Sequence, residues 1–288
     1  MTSGRPLPGS RAGGAPIDAA AAWVRLLDVR GPAEARAAGL RPRPDGRWEW
    51  TSDASTEATQ LAYMYVPLCL GGPTLAYAQL GQSLDGFIAT RTGDACFVTG
   101  EEDRRHLHRL RALADAVVVG AATVIADDPQ LTVRSVPGRS PVRVVLDPHG
   151  RVSPDRRLLT DAMAPTLWVL GRDAPERQVA APAETLRLPT DDGRFTARQV
   201  LEVLALRGLG RVLVEGGGRT VSRMLAERAL QRLYLTVAPV LIGDGVRGIQ
   251  FAGSPGMSDA LRPPTRRFLL GADVLFELDL AAGAVPAR

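Results

Sequence analysis

The feature that most constrains this chain is a series of short, largely apolar, Val-rich runs separated by amphipathic stretches. Residues 116–120 (AVVVG), 142–147 (VRVVLD), 166–170 (TLWVL) and 211–214 (RVLV) are too short for buried helices. They also lack the polar–apolar alternation of a strand with one wet face. Runs of this kind belong to strands covered on both sides, as in a parallel sheet flanked by helices. Between them the pattern turns helical. Residues 101–114 open with Glu101, Glu102 and Asp103 and become rich in Arg, the polarity that complements a helix dipole. Residues 196–206 follow a threonine N-cap, and 220–228 predict a third helix. Strands are expected at 75–80 and 233–241, and a hairpin at 268–270 and 273–280 around Gly271-Ala272. The expectation is an α/β fold of three layers, its sheet mostly parallel with an antiparallel C-terminal edge hairpin.

This pattern begins near Thr74, which divides the chain into an N-terminal extension (1–72) and a main domain (73–288). Residues 1–15, rich in Gly, Pro, Ser and Arg, read as disordered. Helices are expected at 17–29 and 32–39 and a strand at 46–50, and no chemical motif accompanies them.

Composition removes several classes of function. All 35 basic residues are arginine, so no lysine is present to form a Schiff base or grip a phosphate. Any phosphate must be met by Arg, backbone N–H groups or a helix N-terminus. The arginines are interspersed with Asp and Glu, and aromatics make up 5%, so neither a backbone-binding basic run nor a base-stacking platform emerges. No apolar stretch is long enough to span a membrane, and no signal-peptide core follows the basic start. Cys69 and Cys96 have no metal-ligand spacing. A cytoplasmic protein that binds neither nucleic acid nor membrane is expected.

Three loops following apolar strands carry the chemistry, because ligands of open α/β sheets sit at the carboxyl ends of strands. The first is Gly81-Gln82-Ser83-Leu84-Asp85-Gly86, where Asp85 either orients a ligand or organises the turn. The second is 120–129 (GAATVIADDP), continuing to Leu131, Thr132 and Arg134; its small residues leave room for a ribose or pyrophosphate beside Thr123 and Asp127. The third is Glu215-Gly216-Gly217-Gly218-Arg219-Thr220, three glycines before a helix, which form an anion cradle of backbone N–H groups.

These stretches, AQLGQSLDG, LRALADAVVVGAATVIADDPQLTVR, PVRVVLD, LVEGGGRT and APVLIGDGVRG, together resemble the reductase domain of the riboflavin-biosynthesis pyrimidine reductases. The resemblance covers roughly residues 75–280. It implies a dihydrofolate-reductase-like fold, reduction of 5-amino-6-(5-phosphoribosylamino)uracil, NADPH as hydride donor and a homodimer. It places Gly81, Phe97, Thr123, Asp127, Gly216, Gly217, Gly218, Arg219 and Thr220 against NADPH. It places Ala95, Arg111, Leu131, Arg134 and Glu215 against the substrate, with the two arginines on its phosphate. Asp85 and Glu215 are the candidates for handling a proton or orienting the substrate amine. Arg172 is the candidate for the cofactor's 2′-phosphate. The zinc-deaminase signature H-x-E with P-C-x-x-C does not occur in the chain. Four positions depart from the family's polar pattern: Ala76, Phe87, Ala95 and Pro148. They keep open a related reductase acting on another imine, pterin or heterocycle, and a nucleotide-binding protein without turnover.

Overall fold

The computed structural model describes residues 15–96, 98–176 and 179–281. The expected disorder at the N-terminus and the position of Phe97 fall outside them, except for Ala15. The chain divides into two compact units, Met1–Gly72 and Pro73–Arg288.

The first unit holds α1 (Ala19–Leu27), α2 (Pro32–Ala37), β1 (Leu40–Pro42), β2 (Trp48–Trp50) and α3 (Thr56–Cys69). Asp18 caps α1 by accepting from the Ala21 amide, and Ser55 caps α3 through the Ala58 amide. Trp23 meets Tyr65 edge to face at 5.4 Å, and the Trp50 indole donates to the Ala58 carbonyl. Helix α3 is not foreseen by the sequence pattern. Residues 64–66, 68 and 69 are buried on every side, so no apolar stripe stands out, and Pro67 sits in its last turn.

The second unit carries β3 (Leu75–Ser83), β4 (Phe87–Thr90), α4 (Glu101–Leu113), β5 (Ala116–Gly120), α5 (Ala121–Asp127), β6 (Val142–Asp147), α6 (Arg157–Thr160) and β7 (Thr166–Gly171). It continues with β8 (Ala183–Leu188), α7 (Ala197–Leu206), β9 (Arg211–Val214), α8 (Gly218–Ala226), β10 (Arg232–Ala238), β11 (Gly245–Arg247), β12 (Thr265–Leu270) and β13 (Asp273–Asp279). Among the described residues the main sheet has the order β12-β13-β10-β3-β9-β5-β6-β7-β8. From β10 to β8 every pairing is parallel, and β13 and β12 add antiparallel at the edge. This is the mostly parallel α/β architecture with a C-terminal edge hairpin that the apolar runs imply.

The core follows from those runs. Ala76, Ala78, Val118, Val144, Val212 and Val214 pack on one face against Val200 and Leu204 of α7 and Val221 and Met224 of α8. On α4, Leu110 and Leu113 are fully buried, and the Tyr77 hydroxyl donates to the Leu110 carbonyl. Three strands of this unit escape the sequence pattern: edge strand β8, which carries Glu184, Thr185 and Arg187, and β4 and β11, which form a short separate ribbon. Helix α8 begins at Gly218 rather than Thr220, because the last glycine of the triplet already takes helical conformation.

The chain order decides where a ligand fits. After β3 it runs outward through β5, β6, β7 and β8, then returns with β9 between β3 and β5. The carboxyl ends of β3, β9 and β5 therefore lie side by side, and the loops leaving them face one another. Leu213, fully buried at the centre of this sheet, is a direct probe of its packing. Leu213→Ala is expected to lower stability by about 2–5 kcal/mol, read from the urea midpoint at unchanged m-value.

Candidate active site

A crevice of about 450 Å3 opens where these loops meet. One wall is the cradle Gly216–Thr220 with Gly120, Ala122 and Thr123, and the other is Gln79, Gly81, Ile88, Ala89 and Ala95. Arg111, Leu131 and Glu215 also line it. The size and the mostly apolar lining suit a small organic ligand.

The cradle is built by close approach. Gly216 has φ +90°, and a Cβ there would lie 2.8 Å from the Thr123 hydroxyl. A Cβ at Gly218 would lie 1.9 Å from the Gly248 carbonyl. The Gly217 amide donates to Thr123 Oγ1 at 2.8 Å, which ties the loop to the first turn of α5. The glycines are thus a packing requirement as well as a source of backbone N–H groups.

Arg111 and Glu215 form the most committed pair of the site. Arg111 Nε and Nη2 donate to the two Glu215 oxygens at 2.8 and 2.7 Å, and Nη1 donates to the Thr132 carbonyl at 3.0 Å. Arg111 is 7% exposed and Glu215 4%. Arg111 is therefore not the solvated residue of a helix face. It holds Glu215 at the end of β9, where each carboxylate oxygen keeps a lone pair for an N–H or O–H of a ligand. Arg134 lines neither this crevice nor the lobe beside it. Its guanidinium donates to the Thr132 hydroxyl at 2.6 Å, directly behind the crevice wall. Burial and the charges of Arg111 and Arg157 lower its pKa, so an anion placed here would relieve repulsion.

Asp85, which the sequence offers either as a group that orients a ligand or handles a proton or as one that organises the turn, does not line the crevice and is occupied as a latch. It accepts from the Ser83 hydroxyl and from the backbone N–H groups of Ile242 and Gly243, pinning the segment after β10 to the turn after β3. These bonds hold its carboxyl down at about 2. Arg172, expected at a 2′-phosphate, is exposed in the turn after β7 and lines no part of the crevice. The sequence reading missed a basic recess beside the cradle. His149, Arg151, Arg194, Arg219 and Arg223 line this pocket of about 160 Å3, which shares Gly120, Ala122, Arg219 and Thr220 with the crevice. The arginines come from three separate segments, Arg151 after β6, Arg194 before α7, and Arg219 and Arg223 on α8, so no local motif reveals the group.

The four departures from the family pattern have unequal weight. Ala76 belongs to the apolar core and does not touch the crevice. Phe87 is buried, and Arg247 lies over its ring at 4.9 Å while lining the crevice, so a cation reaches this wall from β11. Ala95 lines the crevice, and Pro148 lines the basic pocket.

Fold and site together define a mostly parallel α/β domain whose crevice is lined by a glycine cradle and a buried carboxylate–guanidinium pair. The model of the RibD C-terminal domain matches residues 73–262, and the chain belongs to that family. It is 38% identical over 204 residues to the 2,5-diamino-6-ribosylamino-4(3H)-pyrimidinone 5′-phosphate reductase of Methanothermobacter thermautotrophicus, covering 68% of this chain and 93% of that protein. It is 37% identical over 174 residues to the riboflavin biosynthesis protein RibD of Aquifex aeolicus, covering 60% of this chain and 48% of that protein. The chain therefore spans about half the length of that RibD protein. Among solved structures, the deaminase/5-amino-6-(5-phosphoribosylamino)uracil reductase of Thermotoga maritima superimposes with TM-score 0.63 at 25% identity, over 77% of this chain and 60% of that one. Among the described residues no helix is long and apolar enough to cross a membrane.

Two outcomes follow from this geometry. Arg111→Ala strands the buried Glu215 carboxylate and is expected to cost about 3–5 kcal/mol, measured by denaturant unfolding. Because the folded pKa of Asp85 lies below the ordinary 3.8, its latch stabilises above that pH and loses its effect as pH falls through about 2. Asp85→Asn should therefore be less stable than the parent at pH 6, with the gap closing as unfolding curves are taken toward pH 2.

Proposed function

We propose that this chain is an NADPH-dependent reductase of a ribosylaminopyrimidine 5′-phosphate in riboflavin biosynthesis, acting on the imine formed when the ribose ring opens. The observation that carries the reading is one crevice lined both by the glycine cradle at the start of α8 and by the buried Arg111–Glu215 pair.

The residues present fit a dinucleotide. Gly216, Gly217 and Gly218 line the crevice without side chains, and the start of α8 presents backbone N–H groups suited to a pyrophosphate. Thr123 and Asp127 stand beside them for a ribose, and Gly81 lies on the opposite wall. Bound there, the nicotinamide supplies a hydride to the imine carbon. The arginine pocket beside the cradle accounts for the extra phosphate of NADPH. Burial together with the charges of Arg194 and Arg219 lowers the Arg223 pKa, a repulsion that a phosphate dianion would reverse.

On the substrate side Glu215 acts as an acceptor. Both its oxygens already face the Arg111 fork, so it suits orienting an amine or hydroxyl rather than releasing a proton. Arg111 in the crevice lining, and Arg134 outside it on the Thr132 hydroxyl, are the positive charges offered to the 5′-phosphate, and Leu131 and Ala95 supply wall. The chain's contribution is to hold two reactants in contact with water displaced. A cytoplasmic homodimer belongs to the same reading and is supported by the family resemblance.

The test is NADPH oxidation with a ribosylaminopyrimidine 5′-phosphate, followed at 340 nm, with the ribityl product identified by mass. Absence of turnover, alongside a converting control enzyme, would sink the reading. Arg194→Ala and Arg223→Ala are expected to raise KM for NADPH by roughly 5- to 50-fold, the worth of one or two charge-assisted hydrogen bonds, and to leave KM for NADH nearly unchanged.

A further inference from the structure

The segment between α5 and β6 has no regular structure, yet it supplies part of the crevice wall through Leu131. Leu131 takes the left-handed conformation, with φ +55°. A bulky side chain seldom adopts it, so the surrounding bonds must hold it there. They do so from several elements. Fully buried Arg143 on β6 reaches the Gln130 carbonyl at 3.4 Å, and Arg111 on α4 donates to the Thr132 carbonyl. The Ser140 hydroxyl accepts from the Val133 amide at 3.1 Å. The Arg134 amide, last in this series, donates to Nδ1 of His108 at 3.2 Å.

His108 stands three residues before Arg111 on α4, so both side chains leave the helix on the face that meets residues 131–134. It is 7% exposed and does not line the crevice. An imidazole accepts from an amide only at an unprotonated nitrogen. Burial first, and then the charges of Arg111 and Arg134, hold its pKa down at about 4, against an ordinary 6.5, although the Thr132 backbone bonded to the ring acts the other way. The ring is therefore neutral at ordinary pH and serves as an acceptor. Beside two arginines it adds no charge to the segment. It supplies a fixed lone pair at the residue whose guanidinium already rests on the Thr132 hydroxyl.

We infer that His108 is a positioning residue for the substrate's phosphate: its Nδ1 lone pair fixes the backbone at Arg134, so that the guanidinium groups of Arg134 and Arg111 meet one anion together. The inference rests on the ribosylaminopyrimidine 5′-phosphate reading above. Arg111 uses three of its five N–H donors within the fold, which leaves two for an anion. Arg134 has a long side chain, and ordering it on an anion costs less when its backbone is already held. Without the His108 acceptor the Arg134 amide loses its partner. Leu131 is then free to relax toward an ordinary conformation, and the two guanidinium groups no longer share a ligand. The effect falls on the phosphate rather than on the group being reduced, because His108 acts only through residues 132–134.

The test compares kcat/KM of the full chain, His108→Ala and His108→Asn for a ribosylaminopyrimidine 5′-phosphate and for the same compound without its phosphate. Asn places a side-chain oxygen close to where the His Nδ1 stands, and it does not titrate. His108→Ala is expected to lower kcat/KM about tenfold on the phosphate ester and less than about twofold on the phosphate-free compound, with most of the loss recovered in His108→Asn. A second readout needs neither turnover nor a variant. The ring signal of His108 in the wild type is titrated by NMR with ribose 5-phosphate or with ribose. An anion held by Arg111 and Arg134 offsets their charge, so ribose 5-phosphate should raise the midpoint from about 4 by about one unit, and ribose should not. No loss in His108→Ala, an equal loss on both compounds, or no recovery in His108→Asn overturns the inference. If His108→Ala does not fold, a midpoint that ribose 5-phosphate leaves unchanged overturns it. If neither compound is reduced, the proposed function fails, and the titration still decides: a raised midpoint supports the role of His108 and an unchanged one removes it.

Discussion

The site depends on one buried interaction, the two-pronged bond between Arg111 on α4 and Glu215 at the end of β9. Such a pair adds little net stability, since desolvating both charges offsets most of their attraction. Its effect is geometric. The guanidinium fork fixes the plane of the Glu215 carboxylate, and the next residues of the chain are the glycines of the cradle. The same guanidinium ties down the Thr132 carbonyl, and with it the segment that carries Leu131 and Arg134. Helix α4, strand β9 and the loop after α5 are thereby tied together beside the cradle.

A second fastening works from the other side. The Asp85 carboxylate holds the backbone N–H groups of Ile242 and Gly243 in the segment that leads to β11, which pairs with β4, carries Arg247 in the crevice lining and sets Gly248 against Gly218. Gly248 in turn leaves no room for a side chain at Gly218. The SLDG turn, the triple glycine and the APVLIGDGVRG stretch thus form one mechanical unit, although more than a hundred residues separate the first from the other two. Asp85 looks like a reactive carboxylate in a one-dimensional reading. In the fold it is a fastening, because backbone donors reach it before any ligand can.

The parts that were legible in the sequence share a physical reason. Strands β5, β6, β7 and β9 are buried on both faces, and a two-sided apolar environment leaves a continuous apolar run. Helix α7 announces itself by the Thr196 cap, and the cradle by three glycines after such a run. Helix α3 and strand β8 leave no such trace. One is buried around most of its circumference, and the other is a polar edge whose partner is a strand twelve residues upstream of its own start.

What the sequence by itself determined is the set of local preferences: which segments are strands, which helices, and where backbone must run without side chains. Those follow from periodicity and from the steric freedom of glycine. Only the tertiary structure decided which charges meet. Arg111 and Glu215 lie 104 residues apart, Asp103 and Thr236 lie 133 apart, and Arg151, Arg194 and the α8 pair Arg219 and Arg223 converge from three segments. A single charged residue carries no record of its partner, because electrostatic pairing depends on distance in space and on burial. Both are set once the sheet closes its order around β3.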